Sequence, residues 1–104
     1  MTIEKIRALF TNRKFDARPN AVRYIFLETN LRITSVPEYA GTYHIYKDED
    51  SFYLRVKPKI LNEDFLITLR NNEIILTGKS SITGIPFVVL TPAPTSPANG
   101  TIYT

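Results

Sequence analysis

The chain has 104 residues, 43% of them hydrophobic, with 13 Lys/Arg against 10 Asp/Glu, the size and balance of one packed domain rather than of a disordered chain. It has no Cys and a single His, so disulfide and thiol chemistry are excluded and a cytosolic setting is expected. No apolar run approaches the ~20 residues that cross a bilayer, and Met1–Lys5 lacks the apolar core of a signal segment, so no membrane contact is expected.

Ile3, Ile6, Leu9 and Phe10 recur at helical spacing, with Thr2 placed as N-cap and Glu4 in the first turn. The spacing predicts a short amphipathic helix that must pack on something, because two turns alone are marginal in water. Residues 12–20 are polar and basic and close on Pro19; they read as an arm or loop.

From Ala21 the residues turn β-branched and aromatic. Val22–Glu28 and Leu31–Val36 are predicted strands around a Thr29-Asn30 turn, ended by Pro37. Thr42–Lys47 and Ser51–Lys57 flank the acidic turn Asp48-Glu49-Asp50. In the second strand Phe52, Leu54 and Val56 alternate with Tyr53, Arg55 and Lys57, the pattern of a half-buried strand that Pro58 stops.

The next hairpin is the clearest. Asp64–Arg70 and Glu73–Gly78 are joined by Asn71-Asn72, whose residues tolerate the positive φ of a type I′ turn. That register sets Arg70 opposite Glu73, Leu69 opposite Ile74 and Ile67 opposite Leu76. Phe65, Ile67, Leu69, Ile74 and Leu76 then share a core face. On the other face Leu66 and Ile75 are too apolar for open water, which predicts cover from the N-terminal helix or a partner. Ile85–Thr91 adds a last strand, and Pro92–Pro97 is a stiff linker by composition. Asn99-Gly100 turns the chain into the stub 101–104, whose Ile102 and Tyr103 are set to complete another chain's edge.

The predicted fold is mainly β: an antiparallel β-sandwich or small barrel of seven or eight short strands with a short N-terminal helix. Its expected organisation is helix and basic arm over 1–20, a β domain over 21–91 and a Pro-rich tail over 92–104. Residues 1–32 hold seven Lys/Arg against three acids, and the remainder six against seven. The charge is therefore N-terminal, and Arg7, Arg13, Lys14, Arg18 and Arg23 are candidate contacts for an acidic partner surface.

Little in the chain can carry chemistry. His44 lies mid-strand with no orienting acid or nucleophile in motif spacing. Gly78-Lys79-Ser80 is no phosphate loop, because the position five before Gly78 is Glu73. Glu63 and Asp64 are adjacent, so on a strand they face opposite ways. The acidic turn lacks the spaced oxygens and glycine of a calcium loop. No enzyme activity, cofactor or metal is expected. A nucleic-acid face, with Tyr53, Arg55 and Lys57 joined by Tyr43 or Tyr46, is a third reading.

Two stretches resemble known families. Tyr46, the acidic turn 48–50, a strand to Pro58, Glu63-Asp64, Ile67, Leu69, Asn72, Ile74, Leu76 and Gly78 follow in an order that resembles the α-crystallin domain of small heat-shock proteins. That likeness implies an ATP-independent chaperone assembling through sheet edges. The string Ala93–Tyr103, a Pro/Ser linker leading to Gly100-Thr101-Ile102-Tyr103, resembles segments of phage virion proteins, both fibre-like and capsid-associated. It implies a structural part of a particle, in host cytoplasm or assembled virion, with protein subunits as homo- or hetero-oligomeric partners. The leading expectation is a non-enzymatic phage particle component (capsid-associated, neck or fibre-like), with the chaperone as alternative.

Overall fold

The computed structural model describes residues 1–94. Thr2 caps helix α1 (Ile3–Ala8), its hydroxyl accepting from the Lys5 amide at 3.3 Å, with Glu4 in the first turn. The helix is too short to stand alone. Ile6 and, just beyond the helix, Phe10 fix it by entering the core.

Eight strands follow: β1 (Arg13–Arg18), β2 (Arg23–Phe26), β3 (Asn30–Ile33), β4 (Tyr39–Asp48), β5 (Ser51–Lys57), β6 (Phe65–Arg70), β7 (Glu73–Gly78) and β8 (Val88–Pro92). Each pairs antiparallel with the next, and β8 returns to β1 in register from Phe15–Pro92 to Arg18–Val89. That last pair decides between sandwich and barrel: the sheet closes. Closure removes the strand edges that a sandwich leaves open.

Alternation sends one side of every strand inward. Phe26, Leu31, Ile45, Leu54, Val56, Phe65, Leu76 and Leu90 are all but sealed from solvent, so the interior is filled by side chains, as expected for eight strands. The Phe10 ring meets Phe26 edge-on at 5.0 Å and Phe15 at 6.2 Å. Helix α1 thereby stoppers one end of the barrel. Two seams are short, since β3 pairs with β4 only as far as Asn30–Thr42 and β5 with β6 only at Tyr53–Leu66 and Leu54–Phe65. The β4–β5 hairpin therefore runs beyond both neighbours, and the Arg7 guanidinium donates to its Ile45 carbonyl at 3.3 Å.

The ring gives the barrel two unlike ends. One carries the tight turns 27–29, 49–50 and 71–72 together with α1 and the departing chain at Pro92–Pro94; this is the turn end. The other carries the longer connections 19–22, 34–38, 58–64 and 79–87, the loop end. Cis peptide bonds precede Pro19, Pro37 and Pro58, all within or bordering these loops.

Several expectations need correction. Residues 12–20 are not an arm, because Arg13–Arg18 is a stave of the barrel with Phe15 and Ala17 inward and partners on both sides. No domain boundary therefore falls at residue 20. Residue 85 is not in a strand: β8 starts at Val88, leaving Ile85 exposed. β8 also takes in Pro92, and the Ala93 amide still donates to the Lys14 carbonyl, so the tail departs later than expected. The 65–78 hairpin has the predicted register, Arg70–Glu73, Leu69–Ile74 and Ile67–Leu76. Only Asn71 of its turn has positive φ, at 57°, so the turn is not type I′, which needs both. Leu69, expected in the core, is half-exposed where the seam with β5 has ended.

Candidate assembly surfaces

Ile75 is 7% exposed on the outer wall, but neither α1 nor a second layer covers it. Its neighbours in register are Thr68 and Val89. Arg18 on β1 reaches across β8 to Glu73 on β7, N–O 2.6 Å, and its aliphatic stem lies over this strip. Long cationic side chains cover apolar surface in this way. Leu66, one pair along, is half-buried. Both residues are thus largely accounted for within the chain.

The basic candidates separate. Arg7 binds a backbone carbonyl, Arg18 pairs with Glu73, and Arg23 pairs with Asp16 across the β1–β2 register at 3.2 Å. Arg13 and Lys14 form no ion pair among the described residues. With Arg23 at the start of β2 they line a groove of about 860 Å³ whose other walls include Leu9, Leu69, Asn71 and Pro94. The structure brings three of the five together. Ile102 and Tyr103 lie outside the described residues.

A polar cluster that sequence reasoning missed sits on the outer wall of β4–β5. Asp64, 5% exposed, accepts from the Arg55 guanidinium at 3.0 Å and from the Tyr46 hydroxyl, with the Lys59 ammonium 3.6 Å away. Burial pushes its carboxyl upward, but Arg55, Tyr46 and Lys59 outweigh burial and hold it below the usual carboxylate range. Tyr46 is raised, by burial first and then by its bond to Asp64. Glu63 turns the other way and accepts from the Ser80 amide and hydroxyl at 2.7 and 2.6 Å, which lowers its pKa. The two adjacent acids do face apart. What the sequence hid was that one of them is a hub.

His44, Tyr46 and Tyr53 stand beside this hub with rings stacked, at 6.2 and 5.5 Å. The Arg55 guanidinium lies 4.9 Å over Tyr46, and the Lys79 ammonium 4.7 Å over Tyr53. Tyr43 points inward instead, edge-on to Phe26, its hydroxyl donating to the Leu27 carbonyl. Tyr46 is therefore the partner of Tyr53 and Arg55 on the outer wall. These ring faces are occupied by one another and by cations, whereas a nucleobase stacks on an open face.

The loop end differs from all of this. Val36 is 102% exposed, Ile82 98%, Ile85 69% and Leu61 60%, and they lie in three different loops of that end. None of the four belongs to the core or packs against it. Sequence reading missed them, although for three the signal was present: Val36, Leu61 and Ile85 stand beside Pro, Asn or Gly in a connection with no strand to turn them inward, while Ile82 lies between Ser81 and Thr83.

Among the described residues no three His, Asp or Glu side chains gather as a metal site, and no helix is long and apolar enough to cross a membrane. No family model, curated protein or solved structure matches the chain.

Proposed function

We propose that this chain is a non-enzymatic structural part of an assembly, working by subunit contact in host cytoplasm and in the finished particle. One observation carries the reading: Val36, Leu61, Ile82 and Ile85, in the loops of one end, are at least 60% exposed and pack on nothing in the core. Of the large hydrophobics at the other end, by contrast, Leu27 is 45%, Leu69 38% and Met1 72% exposed. Aliphatic side chains that contribute nothing to their own core, grouped at one end, have the character of an interface. The phage particle identity draws on the likeness of Ala93–Tyr103 to virion segments. The chaperone alternative works through sheet edges, and a ring whose strands pair on both sides for most of their length lends it no support. The nucleic-acid alternative lacks open ring faces on Tyr46 and Tyr53.

The test is fractionation by size of an extract from the source of the chain, read with an antibody to it. The chain is expected in particles far heavier than its own 11.9 kDa, at a fixed ratio to other components. Recovery solely as free chain overturns the reading.

A further inference from the structure

We infer that residues 101–104 of this chain dock on its own barrel as a short added strand, antiparallel to β6 along the open stretch 67–70. The inference goes beyond the assembly reading and does not depend on it.

The barrel wall parts at two seams, both toward the turn end. Past Tyr43, β4 has left β3, and there α1 packs on it, Arg7 donating to the Ile45 carbonyl. The N-terminal residues thus fill the first opening. At the second, β6 leaves β5 after Tyr53–Leu66 and runs on to Arg70 with β7 as its one paired neighbour among the described residues.

Register shows which backbone groups face that second opening. Arg70 and Glu73 close a two-residue hairpin, and the Lys79 amide donates to the Asp64 carbonyl further along the same ladder. Leu66, Thr68 and Arg70 therefore aim their N–H and C=O groups at β7, while Ile67 and Leu69 aim theirs away from it. Leu69 lies three residues past the last pair with β5. Its side chain is 38% exposed, whereas Ile67 on the same face is 8% exposed. A strand edge left in this state is a template for another strand, and edges are ordinarily blunted by charge or Pro. Over 67–70 the one charge is Arg70, which Glu73 holds at 3.9 Å.

The choice of occupant comes from where the chain goes after Pro94. Pro94 and Leu69 line the same groove. Leu90, Ile74 and Leu69 lie in one row across β8, β7 and β6, so a strand on the far edge of β6 is three spacings from β8, about 15 Å. Residues 95–100 can span about 20 Å. β8 runs toward the turn end, and a chain reversed at Asn99-Gly100 runs back antiparallel to β6, the sense of every paired neighbour in the barrel. Thr101-Ile102-Tyr103-Thr104 matches the open stretch in length, carries no charged side chain, and consists wholly of residue types that favour strands. Alternation sets either Ile102 or Tyr103 beside Leu69. A short tether that spans the gap holds its segment at an effective concentration of about millimolar, so the chain's own residues outcompete those of a second copy in dilute solution.

Amide hydrogen exchange on the full chain, resolved by residue, tests the inference. Tyr103→Pro, which removes a donor and fixes φ, and Ile102→Asp are each expected to quicken exchange at the Leu69 amide by about tenfold or more. Both should leave the amides of Leu76 and Leu90 unchanged, which shows that the barrel is intact. Leu69→Asp is expected to quicken exchange within 101–104 in return. A Leu69 amide that exchanges as fast in the unmodified chain as in Tyr103→Pro overturns the proposal. Protection of Leu69 that disappears on dilution, with sedimentation showing dimers at the higher concentration, assigns the edge to a second copy's residues and also overturns it. Neither result bears on whether the chain is recovered in large particles, so the two readings fail separately.

Discussion

The two ends of the barrel solve opposite problems. The turn end is stoppered from within: α1 brings Ile6 and Phe10 into the core, Arg7 ties the helix to β4, and the turns present Glu28, Glu49, Asp50, Asn71 and Asn72 to water. The loop end is sealed by its strands, yet its loops hold aliphatic residues outward. Folding explains most of the first end, although Met1, Leu27 and Leu69 stay exposed there. It does not explain the second, and a surface that folding leaves unexplained is where contact with another molecule is most economically placed.

The comparison breaks most visibly if the barrel wall on which the stopper rests is hollowed. The Phe26 ring touches Phe10, Phe15, Tyr24 and Tyr43 at centroid distances of 5.0 to 6.4 Å. Phe26→Ala leaves a void bounded by four aromatic rings and is expected to cost about 3–5 kcal/mol, read as a lowered denaturant midpoint. If the loss were under ~1 kcal/mol, helix and barrel would not share one core.

Next in size is the Asp64 hub. Its partners Arg55 and Lys59 are half in water, so Asp64→Ala forfeits charge-assisted hydrogen bonds without stranding a buried cation, at about 2 kcal/mol. The carboxyl titrates below its ordinary value in the folded chain. Its contribution is therefore fully present above the unfolded pKa and is lost as pH falls through the folded one. Glu63 is shifted in the same direction by Ser80. Melting temperature in acid is expected to fall less steeply for Asp64→Asn than for the unmodified chain; parallel acid limbs would show that the hub does not set them.

Smaller again is the cap of the stopper. The Thr2 hydroxyl accepts one amide of α1, so Thr2→Ala is expected to cost about 1 kcal/mol. Hydrogen exchange should quicken in residues 3–10 before the strands respond, because the end of a short helix opens locally. Equal quickening in the barrel would mean that helix and strands open as one unit.

How much of this was readable beforehand depended on range. Local signals were strong: Thr2 as cap, the Asn71-Asn72 hairpin and its register, and the alternation in β5 all appear where the residues place them. β1 was hidden because only Phe15 and Ala17 turn inward between Arg13, Lys14, Asp16 and Arg18, a pattern equally suited to a solvated arm. Barrel and sandwich could not be separated, since closure rests on pairing residues 15–18 with 89–92, and nothing local announces a contact at that separation. The candidate surfaces were hidden for the same reason. Arg18 and Arg23 look free in the sequence and find their counter-charges only when Glu73 and Asp16 arrive beside them.

The smallest expected effect is the most telling about the two ends. Ile82 and Val36 pack on nothing in their own chain, so Ile82→Ser and Val36→Ser should change unfolding free energy by no more than about 0.5 kcal/mol, measured dilute enough to keep the chain monomeric. Leu31→Ala, a residue of the same class turned inward, should cost about 2–5 kcal/mol under the same conditions. The contrast isolates position from chemistry, because all three side chains are aliphatic and only one is enclosed. If serine at 82 or 36 destabilises the dilute chain as alanine at 31 does, those side chains fold back onto the barrel in solution. The loop end would then be part of the core, and the difference between the ends would vanish.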